Sequence, residues 1–194
     1  MTLRRAALAS AAVLLTGLAC DPDGSGTLPK KKLTLPSGLT LAYVELGDSD
    51  GEPVLFLHGY TDTARSFYAT AVQLSKATTK RRLILLDQRG HGGSSMPPAA
   101  ECASAPEQCF RPADLAGDVL DFMDARGIDH ATIVGHSMGS FVAQELALDN
   151  PERVDAVVLI GTAPRIAGNP VVQQYILDEP VEGSWRTAFE AQGY

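Results

Sequence analysis

The segment Thr132-Ile-Val-Gly-His-Ser-Met-Gly-Ser-Phe-Val-Ala-Gln-Glu-Leu-Ala-Leu148 decides the fold. It begins with a short apolar run, passes through a Gly-x-Ser-x-Gly pentapeptide and continues as a stretch that is apolar on nearly every side. This pattern predicts a buried strand, a tight turn and a central buried helix. Such a turn lifts the hydroxyl of Ser137 above the end of the strand. Gly135 and Gly139 fit it because a Cβ at either position would clash with neighbouring backbone.

The predicted turn gives Ser137 the setting of a nucleophile. The helix that follows it presents backbone N–H groups and the positive end of its dipole, which favour a developing oxyanion. A serine hydroxyl also needs a base to take its proton and an acid to orient that base. The plain alternative is an ordinary turn serine.

Further apolar runs around this segment predict a parallel sheet with helices between its strands. Strands buried on both faces need no polar alternation, and four runs have this character: Val54–Leu57, Leu83–Leu86, Thr132–Val134 and Val157–Ile160. Helical patterns lie between them, over residues 64–75, 112–127 and 138–148. A hairpin is predicted ahead of them, from 32–35 and 39–44. The alternation of strands and helices predicts a doubly wound, mostly parallel α/β sheet.

Two more motifs complete a resemblance to the α/β-hydrolase family. His58-Gly59-Tyr60 follows one predicted strand, and Asp87-Gln-Arg-Gly-His-Gly-Gly-Ser-Ser95 follows another. The second motif is similar to the family's Asp-x-Arg-Gly-x-Gly-x-Ser loop. With the pentapeptide, all three motifs come in the family's order, each at the carboxyl end of a strand, where open α/β sheets bind ligands. The resemblance covers residues 32–165 and implies an α/β-hydrolase core there.

The resemblance also implies roles for individual residues. Ser137 would attack a carbonyl carbon, and the backbone N–H groups of Tyr60 and Met138 would hold the oxyanion. Such a serine hydrolase takes a small-molecule acyl substrate, ester-like or otherwise, and needs no cofactor and no metal. Epoxide hydrolases and haloalkane dehalogenases of this fold carry an aspartate at the elbow, where this chain has serine. The Asp-Gln-Arg-Gly loop is similar to that of proline aminopeptidases, so a peptidase of that type is an alternative.

The positions of the histidines do not match the catalytic triad that the resemblance implies. In the family, the acid and the histidine of the triad follow the serine, whereas all four histidines precede it: His58, His91, His130 and His136. We expect His58 and His91 to brace loops, His130 to be solvated and the ring of His136 to point away from the hydroxyl. Asp87 and Arg89 are expected to be structural, and Asp178 and Glu179 are poor candidates for the acid.

We expect the chain to be truncated after its sixth strand. Residues 166–194 would form only the start of a cap, and the strand at 157–160 would be an apolar edge. On this interpretation the 194-residue chain alone is inactive, because its triad is incomplete. The alternative from another class is a non-catalytic, truncated lipoprotein of the same fold that binds a ligand or a partner.

The first residues have the character of an export signal. Arg4 and Arg5 precede a run of small apolar residues that ends in Gly17-Leu18-Ala19-Cys20. This end resembles the lipobox of bacterial lipoproteins, although Leu18 lies one position nearer the cysteine than usual. We therefore expect residues 1–19 to be a signal peptide and Cys20 to carry lipid, which would anchor the protein to a membrane of the bacterial cell envelope. A plain secretory signal, giving a periplasmic or secreted protein, is the alternative.

Composition narrows the remaining classes of protein. Residues 20–31 are expected to form a flexible tether, because residues 21–27 are rich in glycine and turn formers. The lysine run at 30–32 could lie against anionic lipid headgroups, but we favour a solvated strand start. A net charge of −7 over 194 residues argues against sequence-independent nucleic-acid binding. No apolar run reaches the length of a polytopic protein's spans. In an oxidising compartment Cys102 and Cys109 could form a disulfide.

Overall fold

Residues 28–77, 80–97, 102 and 109–163 are described by the structure, a computed structural model. In this part of the chain six strands form one sheet: β1 Lys31–Thr34, β2 Thr40–Gly47, β3 Glu52–Leu57, β4 Arg81–Leu86, β5 Ala131–His136 and β6 Val154–Ile160. The helices are α1 Arg65–Ala77, α2 Pro112–Ala125 and α3 Met138–Asp149, and a 3-10 turn spans Pro151–Arg153.

The strand order is β1-β2-β4-β3-β5-β6. Strands β4, β3, β5 and β6 are mutually parallel, whereas β1 and β2 form an antiparallel hairpin whose second strand is antiparallel to β4. The mostly parallel sheet confirms the predicted α/β class. Because parallel strands end at the same edge, the residues that follow β3, β4 and β5 meet there.

Helices cover both faces of the sheet. Along β3, Leu55 and Leu57 pack into the core beneath α2 and α3, while Phe56 packs on the opposite face against α1. This alternation is the normal consequence of a pleated strand. The larger core includes the fully buried Phe122 of α2. Cover on both faces is what lets the central strands be apolar throughout.

The N-terminal boundary differs from the sequence prediction. Leu28 packs against the core beside α1, and the Lys30 ammonium lies 2.5 Å from the carboxylate of Asp87. Lys31 begins β1 and pairs with Glu45 at 2.7 Å. Residues 28–31 therefore belong to the folded domain and not to the tether. The physical reason is that Asp87 is fully buried and a buried carboxylate needs a cation close by.

Strand β6 lies at the edge of the sheet within the described residues. Its side chains include Val158, Leu159 and Ile160, which are 47%, 39% and 44% exposed, so this edge is apolar, as expected. No helix in the described ranges is long and apolar enough to span a bilayer. The predicted signal peptide, Cys20 and the predicted cap, including Asp178 and Glu179, lie outside the described residues.

Candidate functional site

Ser137 occupies a strained position between β5 and α3. Its φ is 49° and its ψ is −115°, and it is the one non-glycine residue with positive φ in the described part of the chain. A side chain in this region of φ/ψ space is energetically unfavourable and persists only where the surroundings impose it. Here the Ser137 amide donates to Ile160 O at 2.9 Å, and the Ser140 hydroxyl donates to Ser137 O at 2.6 Å.

The two glycines of the pentapeptide have the close contacts that the sequence predicts. A Cβ on Gly135 would overlap the carbonyl group of Gly139, and a Cβ on Gly139 would overlap the carbonyl group of Leu57. Both overlaps involve backbone atoms, which cannot rotate away. The turn therefore requires glycine at both positions.

The turn after β3 lies directly against this elbow. The Gly139 amide donates to His58 O at 3.1 Å, and a Cβ built on Gly59 would lie 3.3 Å from the Cβ of Ser137. Tyr60, whose side chain is 49% exposed, follows Gly59. Met138 is the first residue of α3, so its N–H has no acceptor within the helix. The two expected oxyanion donors thus belong to two segments that contact each other: Tyr60 follows Gly59, and Met138 follows Ser137.

His58 is a structural histidine. It is fully buried, and its Nε2 accepts a hydrogen bond from the Gln88 amide at 3.0 Å. The proton of the neutral ring must then be on Nδ1, which donates to Gly59 O at 2.7 Å. Burial lowers the pKa of His58 to about 4, because the charged ring would lose its hydration. With both nitrogens used and the ring neutral, His58 is not a base for Ser137.

His91 also bonds to backbone, as its place in the glycine-rich loop predicts. Its Nδ1 lies 2.8 Å from Arg89 O and its Nε2 lies 2.6 Å from Tyr60 O. The ring meets that of His58 edge-on, at 5.0 Å between centroids. His91 therefore links the loop after β4 to the turn after β3.

Asp87 and Arg89 stabilise the loop after β4. The Asp87 carboxylate accepts hydrogen bonds from the amides of Ala64 and Gly93 at 2.8 and 2.7 Å, in addition to its ion pair with Lys30. Arg89 makes two 2.6 Å hydrogen bonds to the Asp118 carboxylate. Both residues are committed to these contacts, as expected.

The disulfide lies beside this ion pair. Arg89 also donates to Cys109 O at 2.8 Å, and a disulfide joins Cys109 to Cys102. Burial raises the pKa of Asp118, although the hydrogen bonds and charge of Arg89 oppose that rise. Cys109, just before α2, is therefore held against the loop after β4.

The other two histidines form no hydrogen bond with the serine hydroxyl. His130 precedes β5, is 60% exposed and pairs with Asp155 at 2.8 Å, and this hydrogen bond raises its pKa. The ring of His136 lies beside Gly59 and Gly161. In the described ranges no histidine hydrogen-bonds to Ser137, and no group of three or more His, Cys, Asp or Glu side chains could hold a metal ion.

Gln88 is a buried contact residue that the sequence does not predict. Its backbone amide binds the ring of His58, and its side-chain Nε2 donates to His58 O at 2.7 Å. The contact itself cannot be predicted from a single sequence, because it joins two loops that are 30 residues apart. One general signal is that Gln88 directly follows β4, which ends at the same sheet edge as β3.

Comparisons with known proteins identify relatives of this chain. It is 34% identical over 118 residues to epoxide hydrolase 1 of Caenorhabditis elegans, which covers 61% of this chain and 27% of that protein. It is 37% identical over 122 residues to a putative carbamate hydrolase, RutD, of Variovorax paradoxus, covering 63% and 42%. The crystal structure of epoxide hydrolase A from Mycobacterium thermoresistibile superposes with a TM-score of 0.59 at 30% identity, covering 69% and 39%.

These relatives are hydrolases, and the chain spans less than half the length of each of them. A family model described as the alpha/beta hydrolase fold matches residues 52–183. That range contains the turn after β3, the loop after β4 and the elbow at Ser137. The chain therefore belongs to the alpha/beta hydrolase fold family.

Proposed function

We propose that this protein is a serine hydrolase that cleaves ester-like or other acyl substrates through Ser137. The observation that carries the proposal is the position of this serine. Its backbone is held at φ 49° at the N-terminus of α3, and the turn after β3 lies beside it. Strain of this kind is found where the fold holds a functional group in place.

The chemistry follows from this arrangement. Ser137 Oγ attacks the carbonyl carbon while a base accepts its proton, and the negative charge that develops on the carbonyl oxygen is held by the N–H groups of Tyr60 and Met138. The tetrahedral intermediate expels the leaving group, which takes the proton, and leaves an acyl group on Ser137 that water then hydrolyses. In the described part of the chain no histidine hydrogen-bonds to Ser137, so neither the base nor the acid is assigned to a residue of that part.

The residue at the elbow favours acyl transfer over epoxide opening. Epoxide hydrolases are among the relatives, but a carboxylate, which that reaction uses as its nucleophile in this fold, is not what this chain has at position 137. A carbamate hydrolase is also among the relatives, and a carbamate is cleaved at a carbonyl carbon. A serine suits attack at such a carbon.

Labelling with a fluorophosphonate tests the proposal, since this reagent reacts quickly only with an activated serine. We expect the full-length protein, meaning the product of the whole gene, to gain one phosphonyl group on Ser137. The Ser137→Ala variant should gain none, and the Ser49→Ala variant, changed at an exposed turn, should label like wild type. A folded full-length protein that does not react would contradict the proposal and favour a non-catalytic binding protein. Preferential turnover of N-terminal prolyl amides over esters would instead indicate a peptidase of the proline aminopeptidase type.

We further propose that the protein is exported and anchored to the cell envelope through a lipid on Cys20. The disulfide between Cys102 and Cys109 supports export, because such bonds persist in oxidising compartments. Mass spectrometry of the mature N-terminus tests the anchor. A diacylglyceryl group on Cys20 is the expected result. An unmodified N-terminus at that position would favour the periplasmic or secreted alternative.

A further inference from the structure

Gln88 contacts His58 twice, through two different groups. Its backbone amide donates to Nε2 of the ring at 3.0 Å, and its side-chain Nε2 donates to the carbonyl oxygen at 2.7 Å. Both residues are buried, with exposures of 4% and 0%. The loop after β4 therefore holds the turn after β3 by ring and backbone together.

The ring of His58 passes this restraint to one expected oxyanion donor. Because Gln88 occupies Nε2, the ring proton is on Nδ1 and binds Gly59 O at 2.7 Å. That oxygen and the N–H of Tyr60 belong to the same planar trans peptide and point in opposite directions. Fixing the oxygen of Gly59 therefore fixes the direction of the Tyr60 N–H.

The carbonyl of His58 passes the restraint to the other donor. Its oxygen accepts both the side-chain bond from Gln88 and the 3.1 Å bond from the Gly139 amide. Gly139 follows Met138 in the first turn of α3. The junction at His58 O thus sets the distance between the two segments that supply the donors.

We propose that Gln88 is a positioning residue for the oxyanion hole, fixing the turn after β3 against the elbow through His58. The proposal rests on the proposed serine hydrolase function. Gln88 touches no reacting atom, and its effect is exerted on the geometry of the Tyr60 and Met138 N–H groups. Oxyanion stabilisation depends on donors held in place before the charge develops.

The unsatisfied Oε1 of the Gln88 side chain allows a substitution that tests the contact without unfolding the protein. This oxygen is buried and has no hydrogen-bond partner in the described part of the chain. Replacing Gln88 by methionine, which is similar in size, removes this unsatisfied oxygen together with the donor. His58 O still accepts from Gly139. We therefore expect little change in thermal stability, so that kinetic effects report on positioning.

Three variants of the full-length protein form the experiment. Gln88→Met removes the side-chain donor to His58 O and keeps the backbone bond to the ring. Gln88→Glu replaces the side-chain donor by an oxygen that repels His58 O when it is ionised. Gln73→Met is the matched control, because Gln73 is exposed on α1. The measurements are kcat and KM for an activated ester between pH 5 and 8, and the hydrogen-exchange rate of the Gly139 amide.

The kinetic signature distinguishes positioning from general loosening of the fold. We expect Gln88→Met to lower kcat by about tenfold with KM unchanged, since oxyanion stabilisation acts in the transition state. In Gln88→Glu, kcat should fall further at high pH and recover relative to wild type as pH falls, because the protonated acid can donate to His58 O. The ratio of kcat in Gln88→Met to kcat in wild type should not change with pH. An unchanged kcat in both variants overturns the proposal.

Hydrogen exchange separates failure of this inference from failure of the proposed function. If wild type hydrolyses no ester but the Gly139 amide exchanges about tenfold faster in Gln88→Met than in Gln73→Met, the positioning contact is supported and the serine hydrolase function is not. If exchange at Gly139 is the same in both variants, Gln88 does not hold this junction, whatever the activity of wild type.

Discussion

The carbonyl oxygen of His58 lies 3.1 Å from the amide nitrogen of Gly139. This hydrogen bond joins the end of β3 to the first turn of α3, and it places Gly59 directly beside Ser137. The approach is so close that a Cβ on Gly139 would overlap the Leu57 carbonyl. The junction between these two segments is therefore the structural basis of the candidate site.

Gly139→Ala should destabilise the protein through that overlap. Because the opposing atoms are backbone, β3 and α3 must move apart, and we expect the free energy of unfolding to fall by about 3 kcal/mol. Gly117→Ala is the matched control, because a Cβ there meets nothing within 4 Å. Alanine is the better helix former, so this change in α2 should raise the free energy of unfolding by about 1 kcal/mol. Urea unfolding measures both. Equal stability of the two variants would show that the elbow tolerates a side chain.

Arg89→Met should destabilise the protein in a pH-dependent way. It leaves the carboxylate of Asp118, 7% exposed, without its cation, at a cost of about 3 kcal/mol. Burial raises the pKa of Asp118 already in wild type, and loss of Arg89 raises it further. The cost is therefore largest above this pKa and shrinks as the carboxyl is protonated at lower pH. Urea unfolding at pH 7.5 and 4.5 measures this, and a pH-independent loss would contradict it.

Glu45 should contribute to acid sensitivity. Burial favours its neutral form, but hydrogen bonds from Lys31 and Arg82 and the charge of Arg126 prevail and lower its pKa from 4.5 to about 2. A carboxyl with a lowered pKa stabilises the fold above its unfolded pKa, and this stabilisation is lost as pH falls towards the folded value. Stability should therefore fall less between pH 4.5 and 2 in Glu45→Gln than in wild type. Parallel acid titrations of the two proteins would refute this assignment.

The disulfide should stabilise the segment before α2. It closes a loop across a sequence separation of 7 residues, for which the loss of chain entropy in the unfolded state predicts about 2 kcal/mol. Thermal melting with and without a reductant measures the effect. A Cys102→Ser/Cys109→Ser variant serves as control, because its melting temperature should not respond to the reductant. An unchanged melting temperature on reduction of wild type would contradict the prediction.

The parts of the fold that follow from local patterns could be predicted from the sequence. Apolar runs such as Leu83–Leu86 mark the central strands, because burial on both faces leaves them no polar positions. The elbow also has a local cause, since the spacing of Gly135 and Gly139 around Ser137 reflects the contacts of one turn. Each of the three motifs follows a predicted parallel strand, so their common position at one edge of the sheet could also be predicted.

Contacts between distant segments could not be predicted in this way. The ion pair of Lys30 with Asp87 joins residues 57 apart, and nothing near Lys30 in the sequence distinguishes it from a solvated lysine. The two bonds of Gln88 to His58 depend in the same way on how two loops meet. Such contacts depend on strand order, which places β4 between β2 and β3, and not on local composition.

Trapping an acyl-enzyme tests most directly whether Ser137 is the nucleophile. The full-length protein is mixed with an activated ester, quenched in acid within the first turnovers and examined by intact mass and peptide mapping. We expect one acyl group on the peptide containing Ser137, absent from Ser137→Ala and present in Ser49→Ala. Ester turnover that is undiminished in Ser137→Ala, or an acyl group on another residue, would contradict it.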